Sequence, residues 1–149
     1  MAVKQALESA GAHPLIVSRM GGMIKSIDGK SIPVERTFLT TSSVLFDAVY
    51  LPGGSQSIAT LKTQGDAVHF INEAFKHCKP IAASGEGVEL LMQADLRNID
   101  LSKAKSQLQS DQGVIATQDN QKMNAFADAL IHAMIGHRYW ERAKELVAA

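Results

Sequence analysis

Short apolar segments alternate along the chain with segments of helical periodicity, and this alternation limits the fold more than any other feature. The apolar segments that we predict as strands are residues 12–18 (AHPLIVS), 45–54 (LFDAVYLPGG), 79–84 (KPIAAS) and 113–117 (GVIAT). Strands that are apolar on both faces belong in a parallel sheet covered by helices on both sides. The 149 residues are the size of one ordinary domain. We therefore predict a single α/β domain over residues 1–149, with three layers and a parallel central sheet.

The helical segments are placed by their periodicity and by the residues at their ends. The first, AVKQALESAG, ends with Gly11, which suits the left-handed residue that ends a helix. The segment GDAVHFINEAFKH predicts a helix with Asp66 as its N-cap. The segment EGVELLMQA predicts a third helix. From Asn120 to about Val147 we predict one long helix with an interruption at Gly136.

The beginning of the chain departs from the usual order of elements in this kind of sandwich. A doubly wound, flavodoxin-like domain normally begins with a central strand, whereas this chain begins with a helix. We therefore predict a flavodoxin-like sandwich whose first strand is missing from the chain. Farther on, Asp28-Gly29 stands between two short alternating runs, which predicts a β-hairpin.

Composition and charge argue against several classes of function. Basic and acidic residues number 15 each, and no basic stripe is visible, so nucleic-acid binding is not expected. No apolar run approaches the roughly 18 residues of a membrane helix, so a membrane partner is not expected either. Cys78 is the only cysteine, and we interpret it as a buried structural thiol. Together with an N-terminus that does not resemble a signal peptide, it favours the cytoplasm.

Three segments resemble the class I glutamine amidotransferase-like superfamily, which includes the PfpI-like proteins: FDAVYLPGG, KPIAASGEGVELL and GVIATQDNQKMNAFADALIHAM. Two more, VSRMGGMIKSIDGKSIPVERTF and AMIGHRYWERAKEL, narrow the resemblance. They look like the C-terminal domain of large-subunit haem catalases of the hydroperoxidase II type. The resemblance implies that the chain is part of a longer catalase and that the missing first strand lies just before Met1.

The segment KPIAASGEGVELL resembles the nucleophile elbow of the PfpI-like proteins without their nucleophile. Aligned on that pattern, the family's cysteine falls on Gly85 and the neighbouring histidine falls on Glu86. Covalent catalysis needs a thiol or hydroxyl beside a base, so we expect no catalytic residue here. Ser84 and Glu86 are weak candidates. A hydroxyl bonded to nearby backbone is the simpler interpretation of Ser84, and stabilisation of a helix start is the simpler one of Glu86.

The glycines of the two loops and the five histidines are two further groups of residues that could bind a ligand or a metal ion. In an active relative, Gly53 and Gly54 would supply an oxyanion-hole amide; here we interpret them as a tight turn. A less favoured hypothesis is that a small anion binds the helix start near Gly85 and Gly87. The five histidines lack the spacing of a zinc site, so no metal is expected.

The end of the chain, HRYWERAKEL, combines aromatic residues with arginines. Aromatic side chains and arginine are enriched where proteins meet. We therefore regard Arg138, Tyr139, Trp140 and Arg142 as a candidate interface. The alternative is a terminal helix that packs only on its own sheet.

The resemblance as a whole implies a non-catalytic structural or assembly domain. The parent catalase would decompose hydrogen peroxide to water and oxygen, and its haem would lie in another domain, so no cofactor is expected in this one. The expected partners are the catalase core domain and other subunits of a homo-oligomer. Alternative interpretations are a free-standing PfpI-like hydrolase or deglycase with an altered active site, a chaperone-like protein, and a small-ligand module that uses the glycine loops.

Overall fold

The computed structural model describes residues 2–26 and 28–145 of the chain. In chain order the strands are β1 Val17–Ser18, β2 Gly22–Lys25, β3 Ser31–Val34, β4 Arg36–Thr37, β5 Val49–Leu51, β6 Ile81–Ser84, β7 Gln109–Asp111 and β8 Val114–Thr117. The α-helices are α1 Ala2–Ser9, α2 Ser55–Leu61, α3 Gly65–Lys76, α4 Gly87–Leu91 and α5 Met123–Ile135. Short 3₁₀ turns cover Ser43–Leu45, Asn120–Lys122 and Trp140–Glu145.

The central sheet has the strand order β5-β6-β8-β7 within the described residues. Strands β5, β6 and β8 are parallel, as the sequence predicts. Strand β7 is antiparallel to β8. It was not predicted because it falls in the polar, weakly periodic segment before residue 113. Strand β5 forms one edge of this sheet in the described residues, and the first strand expected before Met1 stays a prediction.

Helices cover both faces of the sheet, so the molecule has the three layers that the sequence predicts. On one face α1 and α5 pack together; their Leu7 and Phe126 meet Ala82 and Ile115 of the sheet. On the other face, residues of α2, α3 and α4 pack on the alternate positions of the same strands, including Ile81. All four residues of β6 and all four of β8 are buried, because helices exclude water from both of their faces.

The predicted long C-terminal helix is wrong beyond Gly136. Helix α5 ends at Ile135, and His137 then adopts a left-handed conformation with φ +63°. The chain reverses there because Tyr139 and Arg142 form hydrogen bonds with distant parts of the fold, and these tertiary bonds override the continuing helical pattern. Residues 146 and 147, the end of the predicted helix, lie outside the described residues.

The predicted buried strand over residues 12–18 is also wrong in its extent. Only Val17 and Ser18 form a strand, β1, and both are half-buried. This strand pairs in parallel with β4 in a ladder separate from the central sheet. The hairpin prediction is confirmed: β2 and β3 pair antiparallel around Asp28 and Gly29.

The helix ends show which local sequence signals were reliable. Gly11 has φ +86° and its N–H donates to the carbonyl of Glu8, so it ends α1 as predicted. The N-cap of α3 is Gln64 rather than Asp66, which instead lies in the first turn. There its charge still favours the helix start.

Candidate functional site

The carboxyl end of β6 keeps the sharp turn of a nucleophile elbow. The strand ends at Ser84, Gly85 follows with φ +54°, and α4 begins at Gly87. The N–H of Gly85 donates to the carbonyl of Thr117, the last residue of β8, at 2.9 Å. A left-handed residue between a buried strand and a helix points its side-chain direction out of the sheet edge. The backbone turn of an elbow is therefore present, with a glycine at the position where a reactive side chain is expected.

The nearest non-adjacent neighbours of Gly85 in the described structure include no histidine. A Cβ atom at this position would lie 3.4 Å from the Cα of Gly53 and 3.6 Å from Oδ1 of Asn120. Asn120 begins the 3₁₀ turn that follows β8, and its amide cannot accept a proton as a general base does. Restoring a nucleophile at residue 85 would place it beside an amide and a glycine loop, not beside a histidine.

Glu86 links the elbow to the glycine loop after β5. Its Oε2 atom accepts a hydrogen bond from the N–H of Gly54 at 2.9 Å. This bond, with a smaller contribution from Glu86's own backbone N–H, lowers the pKa of the carboxyl group, while burial opposes the shift. A Cβ atom on Gly53 would lie only 2.8 Å from the same Oε2 atom, so the loop approaches closely because it carries a glycine. The carboxylate thus occupies the amide that an oxyanion would use in an active relative.

Ser84 faces away from the glycine loop. Its hydroxyl is 2.8 Å from the hydroxyl of Tyr50 on the neighbouring strand β5, and Ser84 is only 4% exposed. Burial raises the pKa of Tyr50, and the bond with Ser84 partly opposes that shift. The centroid of the Tyr50 ring lies 5.5 Å from the centroid of the Phe126 ring in α5. The partner of Ser84 is therefore a tyrosine in the core rather than nearby backbone.

The opposite, amino end of the sheet is covered by the C-terminal segment. Arg142 is 6% exposed. Its Nη1 donates to the carbonyl of Lys79 and its Nε to that of Gln112, each at 2.8 Å. The N–H of Tyr139 donates to the carbonyl of Cys78 at 2.9 Å. Arg142 therefore donates its hydrogen bonds to carbonyls of its own chain, whereas the sequence suggested that it belongs to an interface with a partner.

Arg138 and Trp140 lie on the outer side of the same segment. The Nη1 atom of Arg138 donates to the carbonyl of His77 at 2.9 Å, and its guanidinium lies 5.7 Å from the centroid of the Trp140 ring. Trp140 is 65% exposed. Of the four residues of the candidate interface, Trp140 has by far the greatest surface available for contact, and the interface itself stays a prediction.

Comparison with known proteins decides the family. Residues 1–144 match the family model described as the C-terminal domain found in long catalases. The chain belongs to this family. It is 38% identical over 146 residues to a catalase HPII of Mycobacterium avium, a match that covers 96% of this chain and 20% of that protein. It is 35% identical over 140 residues to catalase-2 of Bacillus subtilis, covering 94% and 18%. The chain thus spans about a fifth of the length of the curated relatives that it matches.

Solved structures of low sequence identity share the fold of this catalase C-terminal domain. A ThiJ/PfpI domain protein from Brachyspira murdochii superposes with a TM-score of 0.81 at 20% identity, covering 91% of this chain and 87% of its own. DJ-1β of Drosophila melanogaster superposes with a TM-score of 0.74 at 19% identity, covering 99% and 89%. These likenesses confirm the PfpI-like, flavodoxin-like architecture predicted from the sequence.

Sequence reasoning located the elbow but missed several residues around it. Tyr50, Asn120 and the bond between Glu86 and Gly54 could not be assigned, because they depend on which loops meet in space. In the described part of the domain, no group of three or more His, Cys, Asp or Glu side chains could hold a metal ion. None of its described helices is long and apolar enough to span a bilayer.

Proposed function

We propose that the chain is a non-catalytic assembly domain of a large haem catalase that decomposes hydrogen peroxide to water and oxygen. The observation that carries the proposal is Gly85: it occupies the reactive position of a preserved elbow. A neighbouring carboxylate, that of Glu86, already accepts the hydrogen bond of the loop amide of Gly54. A site without a nucleophile and with its amide donor occupied supports structure rather than turnover.

The membership of the family supports the proposed partners and cofactor. The domain would pack on the catalase core and on other subunits of a homo-oligomer, and the haem would be held by the core rather than by this domain. Nucleic acid and membranes are not among the proposed partners. A single buried cysteine, Cys78, fits a reducing compartment, and we place the protein in the cytoplasm.

Two measurements test this proposal. The purified 149-residue chain, mixed with haem and then with hydrogen peroxide, should give neither a Soret band of bound haem nor oxygen evolution. The gene should encode a catalase core in frame upstream of Met1. Oxygen evolution by the purified chain, or a stop codon directly upstream of its first codon, would contradict the assignment.

A further inference from the structure

The amino end of the sheet brings together cationic side chains that lack carboxylate partners. Lys79 precedes β6, and Arg138 and Arg142 belong to the C-terminal segment. Both arginines donate to backbone carbonyls. No ion pair within residues 2–26 and 28–143 includes any of these three side chains. These three side chains therefore have no ion-pair partner in the described part of the chain, although the charges of Asp47 and Asp111 act on Lys79 and Arg142 from a greater distance.

Lys79 is the most constrained of these cations. Only 4% of its surface is exposed, and within the described residues its ammonium group makes neither a hydrogen bond nor an ion pair. Burial lowers the pKa of Lys79, the charge of Arg138 lowers it further, and Asp47 opposes the shift without reaching ion-pair distance. Burial of most of the side chain removes part of the water around this charge, which is unfavourable when no partner replaces it, although the Nζ atom itself keeps some contact with solvent. A counter-charge supplied from outside the domain would remove this penalty.

Trp140 provides a rigid apolar surface beside these charges. It is 65% exposed, and the guanidinium of Arg138 lies over its ring. The preceding residue is held firmly: the N–H of Tyr139 bonds to Cys78, and the Tyr139 ring packs so closely on Gly113 that no Cβ would fit there. Because the segment is already ordered, a partner that contacts Trp140 would pay little additional conformational entropy. Exposed tryptophan beside arginine is a common composition of binding hot spots.

We propose that Lys79, Arg138 and Trp140 form a docking site for a carboxylate-bearing surface of the haem-containing part of a long catalase. The inference rests on the proposed function and names the surface through which the domain attaches. Charge complementarity selects the partner, because unneutralised cations beside an exposed indole favour an acidic surface. About four fifths of the length of the related catalases lies outside the region that this chain matches, so the partner surface has ample room to lie there.

The first test uses the chain as it is. Lys79→Met removes the ammonium group and keeps the length of the side chain. Because the ammonium is partly desolvated and has no described partner, the variant should unfold at a higher urea concentration than the wild type. Lys25→Met, on the exposed strand β2, is the control and should leave the midpoint unchanged. A lower midpoint for Lys79→Met would show that the lysine is satisfied within the chain and would overturn the proposal.

The second test asks whether the same charge stabilises attachment. In the Mycobacterium avium catalase, the C-terminal fifth is replaced by this chain, and limited proteolysis measures how well the domain stays docked. Lys79→Met and Trp140→Ala should each raise the cleavage rate at the junction about tenfold, which corresponds to about 1.4 kcal/mol of docking free energy. Added salt should accelerate cleavage of the unsubstituted chimera more than that of Lys79→Met, because salt screens the ion pairs with the carboxylate surface and Arg138 remains in the variant. Lys25→Met and Leu39→Ala, the latter 83% exposed, are the matched controls.

The outcomes separate this inference from the proposed function. An unsubstituted chimera whose domain never docks would contradict the assembly role itself. A docked chimera in which Lys79→Met and Trp140→Ala behave like the controls would leave the assembly role standing and overturn this site. If cleavage is faster in Trp140→Ala but not in Lys79→Met, the partner surface does not contribute a carboxylate to this site, and that part of the proposal is wrong.

Discussion

Arg142 allows the sharpest prediction, because one side chain closes the C-terminal segment onto the sheet. Its guanidinium donates to two carbonyls, those of Lys79 and Gln112. It also stacks 4.8 Å from the ring centroid of Phe75 and 5.4 Å from that of Tyr139. Arg142→Leu would leave both carbonyls without this donor. Each lost bond should lower the free energy of unfolding by about 1–3 kcal/mol. The stacking contributes about 0.5–1 kcal/mol per ring.

Part of that loss is offset by removal of a buried charge. Burial lowers the pKa of Arg142 to about 10, which shows that the guanidinium is held at an electrostatic cost. We therefore expect a net loss of about 3 kcal/mol for Arg142→Leu, at the low end for breaking a buried charged network. For a chain of this size, that loss lowers the melting temperature by about 9 °C.

The assay is urea unfolding followed by the fluorescence of Trp140, the only tryptophan, and in parallel by far-UV circular dichroism. Trp140 lies two residues from the substitution, so a fluorescence change that precedes the dichroism change would report local release of the segment. Arg142→Lys keeps the charge but cannot reach both carbonyls with a planar fork, and it should recover less than half of the loss. If the free energy of unfolding of Arg142→Leu is within about 0.5 kcal/mol of the wild-type value, Arg142 does not hold the C-terminal segment on the sheet as described.

Three further substitutions test the elbow. Gly87→Ala should destabilise the fold by about 3 kcal/mol, because a Cβ there would overlap the backbone carbonyl of Leu51; an unchanged urea midpoint would contradict this close approach. Glu86→Gln should cost about 1 kcal/mol at neutral pH, since it weakens the bond to Gly54. Because the pKa of Glu86 is lowered in the fold, the wild type should lose this advantage as pH falls below about 4.3, so melting curves of the two proteins should converge in acid. Gly85→Cys should restore a thiol but no hydrolase activity, because the nearest described side chain beside residue 85 is the amide of Asn120 rather than a histidine; ester or peptide hydrolysis by the variant would contradict this account of the site.

Local and short-range signals in the sequence were sufficient for much of the fold. The apolar strands at residues 79–84 and 113–117 correspond to β6 and β8, since a run that is apolar on both faces can be buried only between two layers. The end of α1 at Gly11 depends on the backbone freedom of one residue. The hairpin around Asp28-Gly29 likewise depends on a turn of a few residues.

The errors concern segments whose structure is decided by distant partners. The helical pattern continues past Gly136, but Tyr139 bonds to Cys78 and Arg142 bonds to Gln112, and these contacts form only when the sheet is in place. Strand β7 is polar, and its pairing with β8 has no periodic signal to predict it. In the candidate site, the bond between Glu86 and Gly54 spans 32 positions, so the sequence could predict a glycine at the tip of the elbow but not which groups surround it.

The two ends of the sheet differ in how their charges are satisfied, and this difference bears on function. At the carboxyl end, the charge of Glu86 is matched by the Gly54 amide within the domain, so an incoming anion would have to displace a carboxylate that is already held in place. At the amino end, most of the Lys79 side chain is buried and its ammonium has no described partner, so an incoming carboxylate would offset part of the cost of desolvation. Binding is favoured where the free protein leaves a group unsatisfied and disfavoured where it has satisfied it already. The preserved elbow is therefore the end at which ligand binding is least expected, and the end opposite the elbow is where attachment to a larger catalase should be sought.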